Sequence, residues 1–180
     1  MRRIIKVGGS LLLRDQLAAK LDAWVRLQPP AQNVAIVGGG ELIDAMRRLD
    51  ERFHRDAEWV HWRCVDLLGT THDWLGDQLP GWHRRSTAEQ FRELCSMEGF
   101  ENHLVRVDSF YRPESGAGLP LSWDTTTDAI AGWLAIVLNA DELVLLKSCE
   151  PPAWSHLDEL AAAGFVDAAL PGLADRLPRL

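Results

Sequence analysis

A β-branched run, Ile4, Ile5, Lys6 and Val7, breaks into the paired glycines Gly8 and Gly9, and the construction returns where Asn33 to Val37 runs into Gly38, Gly39 and Gly40. Between the two, Leu17, Leu21, Trp24, Val25 and Leu27 recur at helical spacing, so Asp15 to Leu27 reads as an amphipathic helix stopped by Pro29 and Pro30. After the glycine triplet, Leu42, Ile43, Ala45, Met46 and Leu49 begin a second helical pattern. Strand, helix, strand, glycine loop, helix is the opening of a parallel α/β sheet, because parallel neighbours need a crossover long enough to hold a helix. Ligands of such sheets sit beyond the carboxyl ends of the strands, and both glycine loops fall at that edge.

The rest of the chain continues the alternation. Glu58 to Leu79 carries Trp59, Trp62, Val65, Leu67, Leu68, Trp74 and Leu75 with helical recurrence and reads as one long helix. Thr87 and Gln90 form a capping-box pattern that starts a short helix through Cys95. Leu104 to Val107 reads as a strand, and Phe110 to Pro120 as an irregular segment punctuated by prolines and glycines. Ser122 to Asp128 gathers hydroxyls and carboxylates at the start of an apolar helix, Ala129 to Leu138, which suits capping and equally suits a ligand held at a helix N-terminus. Glu142 to Leu146 is a buried strand ending at Lys147; the stretch from Trp154 to Leu180 offers a short helix and a strand around Phe165 to Leu170. At 180 residues this is one domain, 1–180, of α/β class: a three-layer α/β/α sandwich on a mostly parallel sheet.

Composition narrows the function. A formal charge of −7 gives no basic field for nucleic acid, so an anionic ligand has to be held by local groups. No long apolar run suggests a membrane span or a leader, and three isolated cysteines, Cys64, Cys95 and Cys149, suit a reduced cytoplasmic protein. The six histidines show no metal-ligand spacing, and no metal-ligating side chains are assigned. The arginines at 47, 48, 52 and 55 alternate with acids and read as a solvated helix face; Arg84 and Arg85 read as surface residues, the alternative being an approach to an anionic acceptor.

The chemistry therefore rests on three places at one sheet edge: Lys6 with Gly8, Gly9 and Ser10; Gly38, Gly39 and Gly40; and the segment Ser122 to Asp128. Glycines let backbone N–H groups approach phosphate oxygens, and Lys6 adds a compact positive charge. Phosphoryl transfer needs mainly positioning and charge neutralisation, which such a set supplies. A P-loop is excluded, since no Gly-Lys-Ser/Thr follows either loop, and the dinucleotide fingerprint fails at Ile43, where a small residue belongs.

Three segments in this order, "KVGGSLL" at 6–12, "VAIVGGGELIDAMRRLD" at 34–50 and "SWDTTTDAIAGWLAIVLNADELVLL" at 122–146, resemble the amino acid kinase superfamily, which includes acetylglutamate, aspartate, uridylate and isopentenyl phosphate kinases. The "SW…D" start of the third segment and "CVDLLG" at 64–69 look most like the aminomethylfuran phosphate kinases of methanofuran biosynthesis. The resemblance implies ATP and Mg2+, with Lys6 on the phosphoryl group in transfer, Gly8, Gly9 and Ser10 on the nucleotide phosphates, and Gly38, Gly39, Gly40 and Ser122 on a small-molecule acceptor. It implies that Asp128 orients the catalytic lysine or substrate, and it suggests a homodimer, for which the Trp-rich helix is the expected interface. Asp124 has no family counterpart and reads as a helix cap. The chain departs from the family after Leu146, where Lys147, Ser148, Cys149, Glu150, Pro151 and Pro152 replace a nucleotide-holding Thr-Asp loop, and it is shorter at the C-terminus. Lys147 is assigned either to phosphate or to solvent. Two functions fit: ATP-dependent phosphorylation of a small phosphate- or carboxylate-bearing acceptor, in C1-carrier cofactor biosynthesis, or a non-catalytic binding or partner subunit on the same fold.

Overall fold

The computed structural model describes residues 1–152 and 156–180. Its centre is a five-stranded sheet in the order β3–β4–β2–β1–β5, with every pairing parallel. The strands are β1 (Arg2–Val7), β2 (Gln32–Val37), β3 (His83–Arg85), β4 (Asn102–Val105) and β5 (Glu142–Leu146). The helices are α1 (Leu17–Leu27), α2 (Glu41–Phe53), α3 (Ala57–Gly76), α4 (Ala88–Ser96), α5 (Thr127–Val137) and α6 (Leu157–Ala162).

The central strands read as continuous apolar runs because both faces of the sheet are covered. Ile4, Val34, Ile36 and Leu143 turn to one face and pack with α5, α4 and Val65 and Leu68 of α3. Ile5, Val7, Ala35, Val37 and Leu104 turn to the other, against Ala18, Leu21 and Val25 of α1 and Leu75 of α3. The result is the three-layer α/β/α sandwich expected from the sequence. Lys6 shares the Ile4 face by strand alternation, which aims it at α5. Among the described residues, no helix is long and apolar enough to cross a membrane.

α5 is buried along most of its length and lies against β1. Gly132 lets the C-terminal 3-10 helix, Leu170–Arg176, close on it: a Cβ there would stand 2.9 Å from Leu170 Cδ1. The sheet's two edges are protected differently. β3 is only three residues of charged and imidazole side chains, and the exposed side of β5 is met by the chain's end, where Leu143 N–H donates to Arg179 O at 2.8 Å.

The capping box of Thr87 and Gln90 starts α4 as the sequence indicates. The strand expected at Leu104 to Val107 begins two residues earlier, and Val107 opens a 3-10 turn instead. The strand expected at Phe165 to Leu170 does not form; these residues turn around Asp167 and lead into the 3-10 helix. β3 carried no apolar signal and was not expected; Arg84 and Arg85 lie on it and pair with Asp77 and Glu93, not with an acceptor. Trp154 lies outside the described residues.

Arg3 is 1% exposed and ties three strands together, donating to Glu142 Oε2 at 2.5 Å and to Asn33 Oδ1 at 3.0 Å. Arg179 grips the other oxygen of Glu142. Burial alone would raise the Glu142 carboxyl, but the two guanidiniums more than offset it and hold its pKa below the ordinary value. A depressed folded pKa contributes stability that is present above the unfolded pKa and lost as pH falls below about 4. Glu142→Gln should therefore cost about 1–3 kcal/mol at neutral pH and flatten the acid side of the stability profile, measured by urea unfolding across pH.

Candidate functional site

The loops after β1 and β2 meet backbone to backbone. A Cβ on Gly9 would stand 2.1 Å from Gly40 N, so no side chain fits there, and Gly40 itself has φ +53° with ψ −141°, a conformation suited to glycine. Gly8 N–H donates to Leu146 O and Gly38 N–H to Val7 O, each at 2.9 Å, fastening both loops to neighbouring strand ends. Gly8 therefore serves the close fit of the loop and is not a free donor, unlike the run of successive N–H groups expected from the sequence. Ser10 and Ser148 hydroxyls meet at 2.9 Å and join the loop after β1 to that after β5.

At the ends of β1, β5 and α5 three charged groups are gathered. Asp128, in the first turn of α5 and 3% exposed, has Lys6 Nζ at 2.8 Å from Oδ1 and Lys147 Nζ at 2.5 Å from Oδ2. Lys147 also donates to Phe165 O at 2.5 Å and lies 5.2 Å from the centre of the Phe165 ring. The solvated alternative for Lys147 is thereby replaced by a half-buried, paired one. Burial depresses the Lys6 ammonium and Lys147 adds to that, while Asp128 opposes it; the net direction is down. Burial pushes Asp128 up, yet the two ammoniums prevail and hold its carboxyl below the ordinary value.

α5 is capped from far along the chain. Asp167 Oδ2 accepts from Thr126 N–H at 2.8 Å, Thr126 O–H at 2.9 Å and Ala129 N–H at 2.9 Å, while Oδ1 accepts from Leu170 N–H at 2.9 Å. Burial raises the Asp167 pKa; the N–H donors pull it down, and nearby Asp128 pushes the same way as burial. Asp124, expected to cap this helix, exchanges hydrogen bonds with Ser122 instead, and its carbonyl accepts from Ala169 N–H. The sequence reading missed Asp167; its only local signal is a lone acid after Phe165 and Val166.

Beside this group opens a cleft of about 470 Å³. Gly9, Ser10, Gly38, Gly39, Gly40 and Thr127 line one end, and Val60, Val65, Leu68 and Ile130 line the other, with Ser122 on the wall. Trp123 spans the cleft: its indole N–H donates to Asp50 Oδ2 at 2.8 Å, and the Arg47 guanidinium lies 4.2 Å from its ring centre. His61 Nε2 meets Tyr111 OH at 3.0 Å, and burial lowers the imidazole's pKa, leaving the ring neutral at pH 7. Burial pushes the Cys64 thiol up to about 11, so the free side chain is a protonated thiol near neutrality. Thr125 Oγ1 is buried in the lining of the cleft with no partner among the described residues.

The structure thus brings Lys6, Asp128 and Lys147 together, and separately seats Gly9, Ser10, Gly38 to Gly40 and Ser122 around the cleft. Asp128→Asn should cost about 3–5 kcal/mol in chemical denaturation, because it leaves the buried Lys6 ammonium and the half-buried Lys147 ammonium facing each other without a counter-charge. Replacing Lys147 with Met in the same variant should recover part of that loss.

No protein-family model matches this chain, and no curated protein matches it. Solved structures do. Uridylate kinase from Archaeoglobus fulgidus aligns over 98% of this chain and 87% of its own at 16% identity, TM-score 0.64. UMP kinase from Ureaplasma parvum aligns over 99% and 87% at 14% identity, TM-score 0.68. UMP kinase from Bacillus anthracis aligns over 96% and 82% at 15% identity, TM-score 0.67. The chain has the fold of these kinases.

Proposed function

We propose that this protein transfers the γ-phosphoryl group of ATP, brought in with Mg2+, to a small acceptor bearing a phosphate or carboxylate. The observation that carries this reading is two ammoniums on one buried carboxylate, Lys6 and Lys147 on Asp128, beside two glycine loops that exclude side chains. Asp167 lies close enough for its charge to act on Lys6, so the two ammoniums stand against two carboxylates. The two ammoniums and the close backbone approach fit a polyphosphate.

In the transfer, an acceptor oxygen forms a bond to the γ-phosphorus as the bond to the departing ADP oxygen breaks. Lys6 and Lys147 neutralise the equatorial oxygens, Asp128 holds both lysines in place, and Gly9 and Ser10 face the donor. Gly39, Gly40 and Ser122 face the acceptor. Among the described residues no group of three or more His, Cys, Asp or Glu side chains is arranged to hold a metal, so Mg2+ would be carried on the nucleotide's own phosphates and water. The apolar far end of the cleft, with Thr125 Oγ1 as its unpartnered polar atom, suits an acceptor with a compact, weakly polar body. A role in C1-carrier biosynthesis, on an aminomethylfuran phosphate-like acceptor in the cytoplasm, is drawn from the sequence motifs at 64–69 and 122–128.

A second reading, a non-catalytic binding subunit, is favoured by Lys147, which is held by Asp128 and Phe165 O where the family has a nucleotide-holding loop. Calorimetric titration with Mg-ATP and candidate acceptors decides between them, with binding and turnover expected. Lys6→Ala should reduce kcat by about 10²-fold or more in a coupled ADP assay. It should leave unfolding little changed, because Lys147 and Asp128 remain a matched pair; retained turnover would remove Lys6 from the mechanism.

A further inference from the structure

We propose that the turn at 165–167 is a positioning element of the transfer site: it grips Lys147 through one backbone oxygen and clamps the helix turn that carries Asp128, and Asp167 is a positioning residue for Lys6. The proposal rests on the transfer reading for the use to which the lysines are put. Phe165 O accepts from Lys147 Nζ at 2.5 Å, with the Phe165 ring centre 5.2 Å from the ammonium. Two residues on, Asp167 Oδ2 accepts from Thr126 N–H and Ala129 N–H, the backbone groups that bracket Asp128. Thr126 itself makes no side-chain cap of the helix, so Asp167 does the work of the N-cap from outside. Lys147 and Asp128 meet at 2.5 Å, and one turn sets both ends of that pair.

The chain builds this turn locally. After α6, Gly164 takes φ +69°, its N–H donates to Ala161 O at 2.9 Å, and Phe165 N–H donates to Leu160 O at 2.8 Å, the paired bonds of a helix that ends on a left-handed glycine. That reversal delivers Val166, Ala169 and Leu170 to the core they share with α5. The turn is therefore held on one side by the glycine exit and on the other by packing.

Asp167 reaches Lys6 through charge. Its four hydrogen bonds are all accepted, three on Oδ2 and one on Oδ1, which is the pattern of a carboxylate and not of a protonated acid. Burial is the largest influence on Lys6 and favours the neutral amine; Lys147 acts the same way, while Asp128 and Asp167 oppose both. Asp128 is shared between two ammoniums, so one carboxylate has to serve two cations. Asp167 supplies the second negative charge, and with it Lys6 meets a phosphoryl oxygen as a cation.

The test is a pH titration by NMR of the full chain carrying carbon-13 at the lysine Cε. The chain has three lysines, Lys6, Lys147 and the exposed Lys20, which serves as the reference. Asp167→Asn removes the charge at nearly constant shape, so the Lys6 midpoint should move to lower pH while Lys20 stays. Gly164→Ala keeps every charge, and its added Cβ meets no neighbour within 4 Å, so it acts only by straining the turn; the Lys147 signal should move toward that of Lys20. Far-UV circular dichroism checks that both variants are folded. An unmoved Lys6 midpoint in folded Asp167→Asn, or an unmoved Lys147 signal in Gly164→Ala, would each overturn the proposal, and the second decides it alone if Asp167→Asn does not fold. In the coupled ADP assay Asp167→Asn should lower kcat about tenfold with the KM for Mg-ATP held within about twofold, and an unchanged kcat removes Asp167 from the site. The lysine titration needs no turnover, so a wild type without turnover counts against the transfer reading and leaves the turn's hold on the lysines to be decided by NMR.

Discussion

Two ammoniums sharing one buried carboxylate is the arrangement on which the rest of the structure depends. Taking Lys6 and Asp128 out of water, and Lys147 partly so, costs several kcal/mol per buried ion, which their mutual contacts at 2.8 and 2.5 Å and the Lys147 bond to Phe165 O offset. The carboxylate also sits in the first turn of α5, where the helix dipole favours an anion. The three groups come from β1, β5 and α5, so the pairing fixes the ends of two parallel strands against the helix that covers them.

Around that centre the backbone is brought unusually close. Gly9 and Gly40 pack without side chains, and the N–H groups of Gly8 and Gly38 are used to fasten the loops to Leu146 and Val7. The segment after α6 then completes the centre from outside. Asp167 supplies the cap that α5 lacks locally, Phe165 O accepts a hydrogen bond from Lys147, and Gly132 admits Leu170 against the helix. The cleft's other wall is looser: α2 is joined to the opposite side by Trp123 on Asp50 and Arg47, and its outer face is apolar and open.

Much of this was legible along the chain because its causes are local. Strand-glycine-helix succession marks a parallel sheet, since crossover length and glycine conformation are properties of short segments. The Thr87 and Gln90 cap and the apolar face of α1 were readable for the same reason. β3 was not, because three edge residues carry no period, and Phe165 to Leu170 misled because a short apolar run fits a strand as well as a turn packed on a helix.

The sequence alone determined the layer order, the sheet edge at which ligands can bind, and the placing of Lys6, Gly9, Gly40 and Asp128 at that edge. The tertiary structure decided the partners: that Lys147 is paired and not solvated, that Asp167 and not Asp124 caps α5, and that Gly8 spends its N–H on Leu146. The physical reason is that a buried charge or an unpaired N–H is satisfied by whatever lies nearest in space. Asp167 meets Thr126 across forty-one positions of chain, a distance over which no sequence period extends.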